Sequence, residues 1–502
     1  AMEAPETILA EVGITFEEAE DLKEISFKSS IREQKLMDMK HLEVESDILR
    51  GISLRRTLRS FGAVWMKSAQ DLSPDQRIER WQKSVKVDRF DLFLSHTWRT
   101  EGRWKFLSLL MQSSWQFFLV GWMLGILASL PFHLSDETPS LFNYDCESID
   151  YESSCSFRIY GHYFGLIGWI LALLVAPYWP GHRTCFLDVV SINQADEHQM
   201  EEGIYSIGGF LAVSSELQIL WDRPYFGRLW CVFELAAFRT CNPRGKISLT
   251  PLFLEAGLAL GLAMIYLHTT LNWTLRKMGW PLELSMLLRL CALHPFFHYC
   301  RRMLHEKRQM ICDLRHFQFA QVECGSDFDR DFIHAGIRAW YGSSEAFTSY
   351  VRGPLAEELA EPFSRFRVPR AYWAVLAAPL ASWELCWVFA ITQSGAPIPA
   401  VLWVFRRRVA ILSLDLIAIK LMVVVCDYFA QPSRLNCVKT SCIWAGLALF
   451  LFILWQSWFL LDAAGFISAS VASSIIVVTA VIFVGEVWVD LTSLCRGRVD
   501  PG

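Results

Sequence analysis

The chain has 502 residues, 53% of them hydrophobic, with 21 Trp, 35 Phe and a formal net charge of −5. With a mean hydropathy of +0.27, that composition excludes a string of ordinary soluble domains. A pI near 6.2 gives no basic field, so nucleic acid is not an expected partner. The 14 Cys form no C-x-x-C pair and read as reduced thiols serving as small hydrophobes.

Residues 1–87 form a lead-in of mixed charge. Six Glu and Asp21 precede the first basic residue, Lys23, which does not read as a signal peptide. Within the lead-in, 42–61 fits a basic amphipathic helix through Arg50, Arg55, Arg56 and Arg59, lying on a membrane or on the next domain. The alternative is a solvated helix in a partly disordered segment.

An apolar strand is expected at 90–95. The amphipathic helix that should follow is missing. Residues 106–132 and 159–182 carry no charge over 27 and 24 positions, and a membrane span needs about 20. A transmembrane hairpin is therefore expected at 106–182. Its acidic loop (Asp136, Glu137, Asp145, Glu147) lies opposite the basic flanks Arg99, Arg103, Lys105 and Arg183, which places the flanking segments in the cytoplasm. In the oxidising outer space Cys146 and Cys155 either pair or stay free.

Residues 183–240 alternate a strand at 185–190, an acidic loop at 191–202, a helix through Ile204, Ile207 and Leu211, a strand at 217–221 and a helix carrying Trp230, Glu234 and Ala237. Such alternation predicts a parallel sheet with working residues at the carboxyl ends of its strands. Asp188 stands at such a position. A fourth strand is expected at 246–252 and no fifth. The α/β domain thus occupies 88–105 and 183–252.

One or two membrane helices are expected in 253–300: 256–275 is uncharged, whereas a return at 281–300 carries Glu283 and Arg289. Residues 301–370 read as a small cytoplasmic helical domain with a Tyr-Gly-Ser turn. Four spans follow within 371–490, at 371–392, 409–430, 441–461 and 463–485, and a cytoplasmic tail at 491–502. Arg406, Arg407 and Arg408 fit this count badly, since it puts them outside.

Three stretches resemble a family: DRFDLFLSHTWR at 88–99, FLD at 186–188, and SSELQILWDRPYFGRLWCVFEL at 214–235. Together, in this order, they are similar to the TIR-domain pattern. The resemblance covers under a fifth of the chain and implies an α/β TIR-like, flavodoxin-like parallel sheet beside a multi-pass helical membrane region. It implies no bound cofactor, with NAD as substrate. Glu234, in WCVFEL, takes the position of the carboxylate that faces the ribose at the nicotinamide bond in NAD-cleaving TIR domains. A carboxylate suits that bond: a cationic pyridinium leaves without a strong acid, and negative charge stabilises the oxocarbenium-like sugar. Ser95, Trp98, Arg99 and Asp188 are implied as substrate contacts, Arg99 through a phosphate oxygen and Trp98 by stacking. The competing account makes Glu234 a solvated carboxylate or a partner for Arg228 or Arg239, and Arg99 and Arg103 membrane-boundary charges.

The family also implies self-association or binding to other TIR domains, alongside membrane lipid. Three functions follow: an NAD-cleaving membrane signalling protein, a non-enzymatic assembly module, and a channel or transporter regulated by the TIR-like domain. Glu384, Asp415 and Lys420, inside expected spans, mark either helix pairing or a conduction path. The Cys and His residues between Cys291 and His316 have no zinc-finger spacing, and Pro295 interrupts their helix, so no metal is expected. Trp230 and Cys231 read as core.

Overall fold

The computed structural model describes residues 44–148, 151–281, 284, 287–288, 291–364, 369–431, 436–463, 471 and 474–475. In chain order these hold β1 (Arg50–Ser53), α1 (Pro74–Gln82), β2 (Val85–Lys86), β3 (Leu92–Ser95), α2 (Gly102–Leu134), β4 (Phe142–Ser148), β5 (Tyr151–Phe157), α3 (Tyr160–Val175), β6 (Thr184–Phe186), α4 (Glu197–Tyr205), α5 (Ile207–Ala212), β7 (Glu216–Trp221), α6 (Leu229–Cys241), β8 (Lys246–Pro251), α7 (Leu252–Lys277), α8 (His294–Arg315), α9 (Asp327–Tyr341), α10 (Ser344–Tyr350), α11 (Ala356–Ser364), α12 (Arg370–Gln393), α13 (Ile398–Tyr428) and α14 (Asn436–Ala463). Two units emerge: one from residues up to 106, 180–251 and 310–364, the other from 107–179, 252–309 and 365 onward.

The first unit is built on a six-stranded sheet of order β2-β1-β6-β3-β7-β8. β3, LFLS, is buried at every position, and β7 at all but its first. Such continuous apolar runs belong to strands covered on both faces, and β6, β3, β7 and β8 are indeed parallel. Leu92 faces Cys185, and Leu94 faces Gln218. One face packs Phe93 flat on Phe186 at 4.4 Å, with Phe210 5.0 Å beyond. The strand expected at 185–190 stops at Phe186, and Asp188 opens a helical turn, Asp188–Ser191.

The sheet is mixed rather than purely parallel, because the lead-in joins it. β1 runs antiparallel to β6, pairing Ile52 with Cys185, and β2 pairs outside it. A strand therefore replaces part of the helix expected at 42–61. Gly51 explains the fit: a Cβ there would lie 3.0 Å from the Phe90 ring, so β1 approaches closely only with glycine. Residues 1–43 lie outside the described residues.

The separate helical domain expected at 301–370 is not observed. Residues 310–364 belong to the sheet unit, where Phe332 and Trp340 of α9 pack on Phe233 of α6 at 6.0 and 5.5 Å. Tyr341 Oη donates to the Ala236 carbonyl at 3.2 Å, and Arg239 pairs with Glu358 at 2.7 Å. The apolar stripe of α9 needs cover, and the outer face of α6 supplies it.

The second unit is helical. Among the described residues six helices, Gly102–Leu134, Tyr160–Tyr178, Leu252–Leu275, Ala371–Gln393, Ile398–Tyr428 and Asn436–Leu454, are long and apolar enough to cross a membrane, which fits a multi-pass membrane protein. α2 and α3 meet backbone to backbone through glycines: a Cβ on Gly125 would lie 2.1 Å from the Phe164 carbonyl oxygen, and one on Gly168 2.1 Å from that of Gly121. The hairpin loop is a β-ribbon, β4 with β5, in which Phe142 stacks on Phe157 at 5.1 Å and on Trp273 at 5.0 Å. Cys146 and Cys155 are buried free thiols, offset along the ladder, where Cys146 faces Ser153.

Two span boundaries differ from expectation. α13 takes Arg406, Arg407 and Arg408 inside its 31 residues, because Arg408 finds Glu384 at 3.5 Å and lies over Trp387 at 4.2 Å. His294 begins α8, which runs on to Arg315 instead of ending near 300. Residues 282–283, 285–286 and 289–290 of the expected return at 281–300, and most of the span expected at 463–485, lie outside the described residues.

Candidate functional site

Counting the parallel strands by sequence, β3 is first, β6 second, β7 third and β8 fourth, and their spatial order is second, first, third, fourth. The next strand after β3 and the next after β7 therefore lie on opposite sides, and in open α/β sheets ligands bind at the carboxyl ends of the strands at such a point. β3 ends at Ser95, and β7 leads through Tyr225 into α6, which carries Glu234.

These three side chains form one hydrogen-bonded row. Ser95 Oγ donates to Glu234 Oε2 at 2.5 Å and lies 2.5 Å from the hydroxyl of fully buried Tyr225. Since Ser95 spends its proton on the carboxylate, Tyr225 is the donor to Ser95. Burial pushes the Glu234 carboxyl up to about 8, the Ser95 hydrogen bond pulls it down, and the charge of Asp188 adds to the rise. At neutral pH Glu234 is thus protonated.

The loop after β3 builds the other wall. Trp98 Nε1 donates to Asp188 Oδ2 at 2.7 Å, and Asp188 Oδ1 accepts from the Val189 amide at 2.8 Å, which fixes the carboxylate. His96 is buried, with Nδ1 3.2 Å from the Leu94 carbonyl, so Nδ1 carries the proton and Nε2 is left as an acceptor. Burial and the nearby Lys105 hold His96 down at about 4, so it is neutral and its 3.9 Å approach to Asp188 is not an ion pair. Lys105, in the first turn of α2, is fully buried. Its ammonium sits 4.6 Å over the Trp98 ring and has no hydrogen-bond partner among the described residues.

Of the residues expected here, Ser95 and Glu234 meet directly, and Trp98 and Asp188 meet each other beside them. Arg99 does not join them: it is exposed and pairs with Glu323 at 2.8 Å. Nor does Glu234 pair with Arg228 or Arg239, since the latter is held by Glu358. The acidic loop expected at 191–202 is largely helix: Asp196 caps α4 by accepting from the Gln199 amide at 2.9 Å. Trp230 is half-buried and donates to Asp329 at 3.3 Å.

Two residues escaped the sequence. Tyr225 lay within a quoted motif, but a loop aromatic carries no mark of its role. Lys105 read as a membrane flank. For Lys105 there was a signal: it is one residue from an apolar run, where a charge either snorkels or is buried with purpose.

No group of three or more His, Cys, Asp or Glu suited to a metal occurs among the described residues. His294 and His298 instead meet hydroxyls of α14, Ser441 at 3.2 Å and Thr440 at 3.4 Å. In the helical unit, Glu255 is buried and takes hydrogen bonds from Ser108 at 3.0 Å, Gln112 at 3.0 Å and Tyr372 at 2.7 Å. With Glu384 bound to Arg408, these two intramembrane carboxylates have helix-pairing roles. No family model matches the chain, and no curated protein and no solved structure matches it.

Proposed function

We propose that the sheet unit is a TIR-like module on the cytoplasmic side of a multi-pass membrane protein, and that it cleaves the nicotinamide–ribose bond of NAD as a signalling reaction. The observation that supports this best is the Ser95–Glu234 hydrogen bond, which joins two motifs 139 residues apart at the strand ends where an α/β sheet binds ligands. Glu234 is the catalytic carboxylate. It loses its proton as the positively charged nicotinamide ring enters, then faces the sugar as the bond to nitrogen breaks and positive charge grows on the ribose carbon. Ser95 and Tyr225 hold the carboxyl group in place, and water takes the sugar. Lys105 takes the role that the resemblance gave Arg99, as the buried cation of the first turn of α2 for the diphosphate.

Purified protein in detergent is to be incubated with NAD beside Glu234→Ala. Nicotinamide release by the native protein and its loss in the variant are expected; equal, negligible release from both removes the enzymatic reading.

The unpaired ammonium of Lys105 gives an expectation of unusual sign. Removing a buried charge that lacks a partner relieves a desolvation cost, so Lys105→Met should raise the thermal unfolding midpoint of the ligand-free protein while raising KM for NAD. A lower midpoint with unchanged KM would mark Lys105 as structural only.

A further inference from the structure

Between Leu58 and Trp65, both buried, the chain makes a left-handed turn. Ser60 (φ 52°) and Phe61 (φ 55°) are the only non-glycine residues with positive φ among the described residues, and Gly62 (φ 70°) continues the turn. An aromatic residue rarely adopts this conformation, and strain of this kind points to a use for the side chain it presents. The turn presents Phe61 to the outside, 67% exposed, when an inward turn would have buried it.

The place of Phe61 is set by its neighbours. A Cβ on Gly62 would lie 2.6 Å from the Phe106 ring, and one on Gly102 2.0 Å from the Trp65 carbonyl oxygen, so the turn is pressed onto the first turn of α2. Phe106 is the first residue of the uncharged run that carries α2 through the membrane. Phe61 therefore sits level with the start of that run. Met66, 47% exposed, and Trp104, 37% exposed, lie on the same segments with exposed Lys67 and Arg103 next to them in sequence; Glu101 pairs with Arg103 at 2.5 Å and Asp71 lies near Lys67. Exposed apolar and aromatic side chains with basic neighbours at the end of a span are the composition of a membrane–water boundary with anionic headgroups.

We infer that Phe61, Met66 and Trp104 form a lipid-docking patch that inserts into the headgroup and upper acyl region of the bilayer crossed by α2, with Lys67 beside the anionic headgroups. The patch holds the strand β1, which precedes it in the same segment, at the membrane surface. It stands on the course of α2 and is independent of NAD cleavage.

The test uses the full chain in liposomes of phosphatidylcholine and phosphatidylserine containing a lipid with a diazirine at the top of its acyl chain. After irradiation, adducts are mapped by mass spectrometry. The peptide spanning Phe61 to Met66 should be labelled roughly tenfold more than the peptide with Ile78 and Val85, which are also exposed and apolar. Phe61→Glu should reduce that labelling severalfold while nicotinamide release persists, and Phe61→Gly, which relieves the backbone, serves as a folded control. Equal labelling of the two peptides, or labelling unchanged by Phe61→Glu, overturns the inference, as would cross-links between protein copies at Phe61 in place of lipid adducts.

Discussion

Glu234→Gln should lower kcat for NAD cleavage by about a thousandfold or more, the usual cost of losing the group that stabilises transition-state charge. The amide is isosteric and its oxygen can still accept from Ser95, so the loss would come from charge and not from collapse of the site. Stability gives an independent check. The native carboxyl titrates near 8 against an ordinary 4.5, so the folded state binds the proton more tightly than the unfolded one. Its stabilising effect is complete below 4.5 and is lost as pH rises toward 8. Glu234→Gln should remove this loss, leaving a flatter stability profile between pH 5 and 8 and a variant more stable than the native protein at pH 8. Thermal unfolding across that range measures it, and a variant as pH-sensitive as the parent would contradict the buried-carboxyl account.

Gly125→Leu should prevent folding of the membrane hairpin. The first added carbon alone would lie 2.1 Å from the Phe164 carbonyl oxygen, and backbone on a neighbouring helix cannot move aside as a side chain can. Separating α2 from α3 forfeits the close packing that holds helices together where lipid offers no hydrophobic drive, at a cost of about 3 kcal/mol or more. Because the hairpin lies between β3 and β6 in the chain, nicotinamide release should fall with it. Gly446→Leu is the control: nothing lies within 4 Å of a Cβ there. The yield of monodisperse protein in size-exclusion chromatography should collapse for the first and hold for the second; similar yields would remove the glycine contact as a determinant.

The parts legible in the sequence were those fixed by local pattern. Uncharged runs gave the hairpin and most later spans, since a bilayer imposes length and polarity directly. β7, β8 and α6 carried a clear alternation of strand and helix, and Ser95 and Glu234 could be paired because both stood in the quoted motifs. What was not legible depended on contacts remote in sequence. β1 looks like part of a basic helix until Gly51 is seen against Phe90, and α9 looks like a separate domain until Phe332 finds Phe233. Arg408 fits a charge count badly, because a lone guanidinium is costly in lipid whereas one paired with Glu384 inside a helix is tolerated. Arg99 was misplaced for a simpler reason: Glu323, 224 positions away, could not be foreseen as its partner.

The proposed cleavage depends on Ser95 and Glu234 meeting in one working site, and the pH dependence of kcat/KM for nicotinamide release in Ser95→Ala reads that contact directly. In the native protein, activity should rise with pH and level off above about 8, where Glu234 is ionised. Without the Ser95 hydroxyl, which favours the carboxylate, the rise should move to higher pH with the plateau retained. A rise at the same pH in both proteins, or one displaced to lower pH, would mean that the two side chains do not share a site.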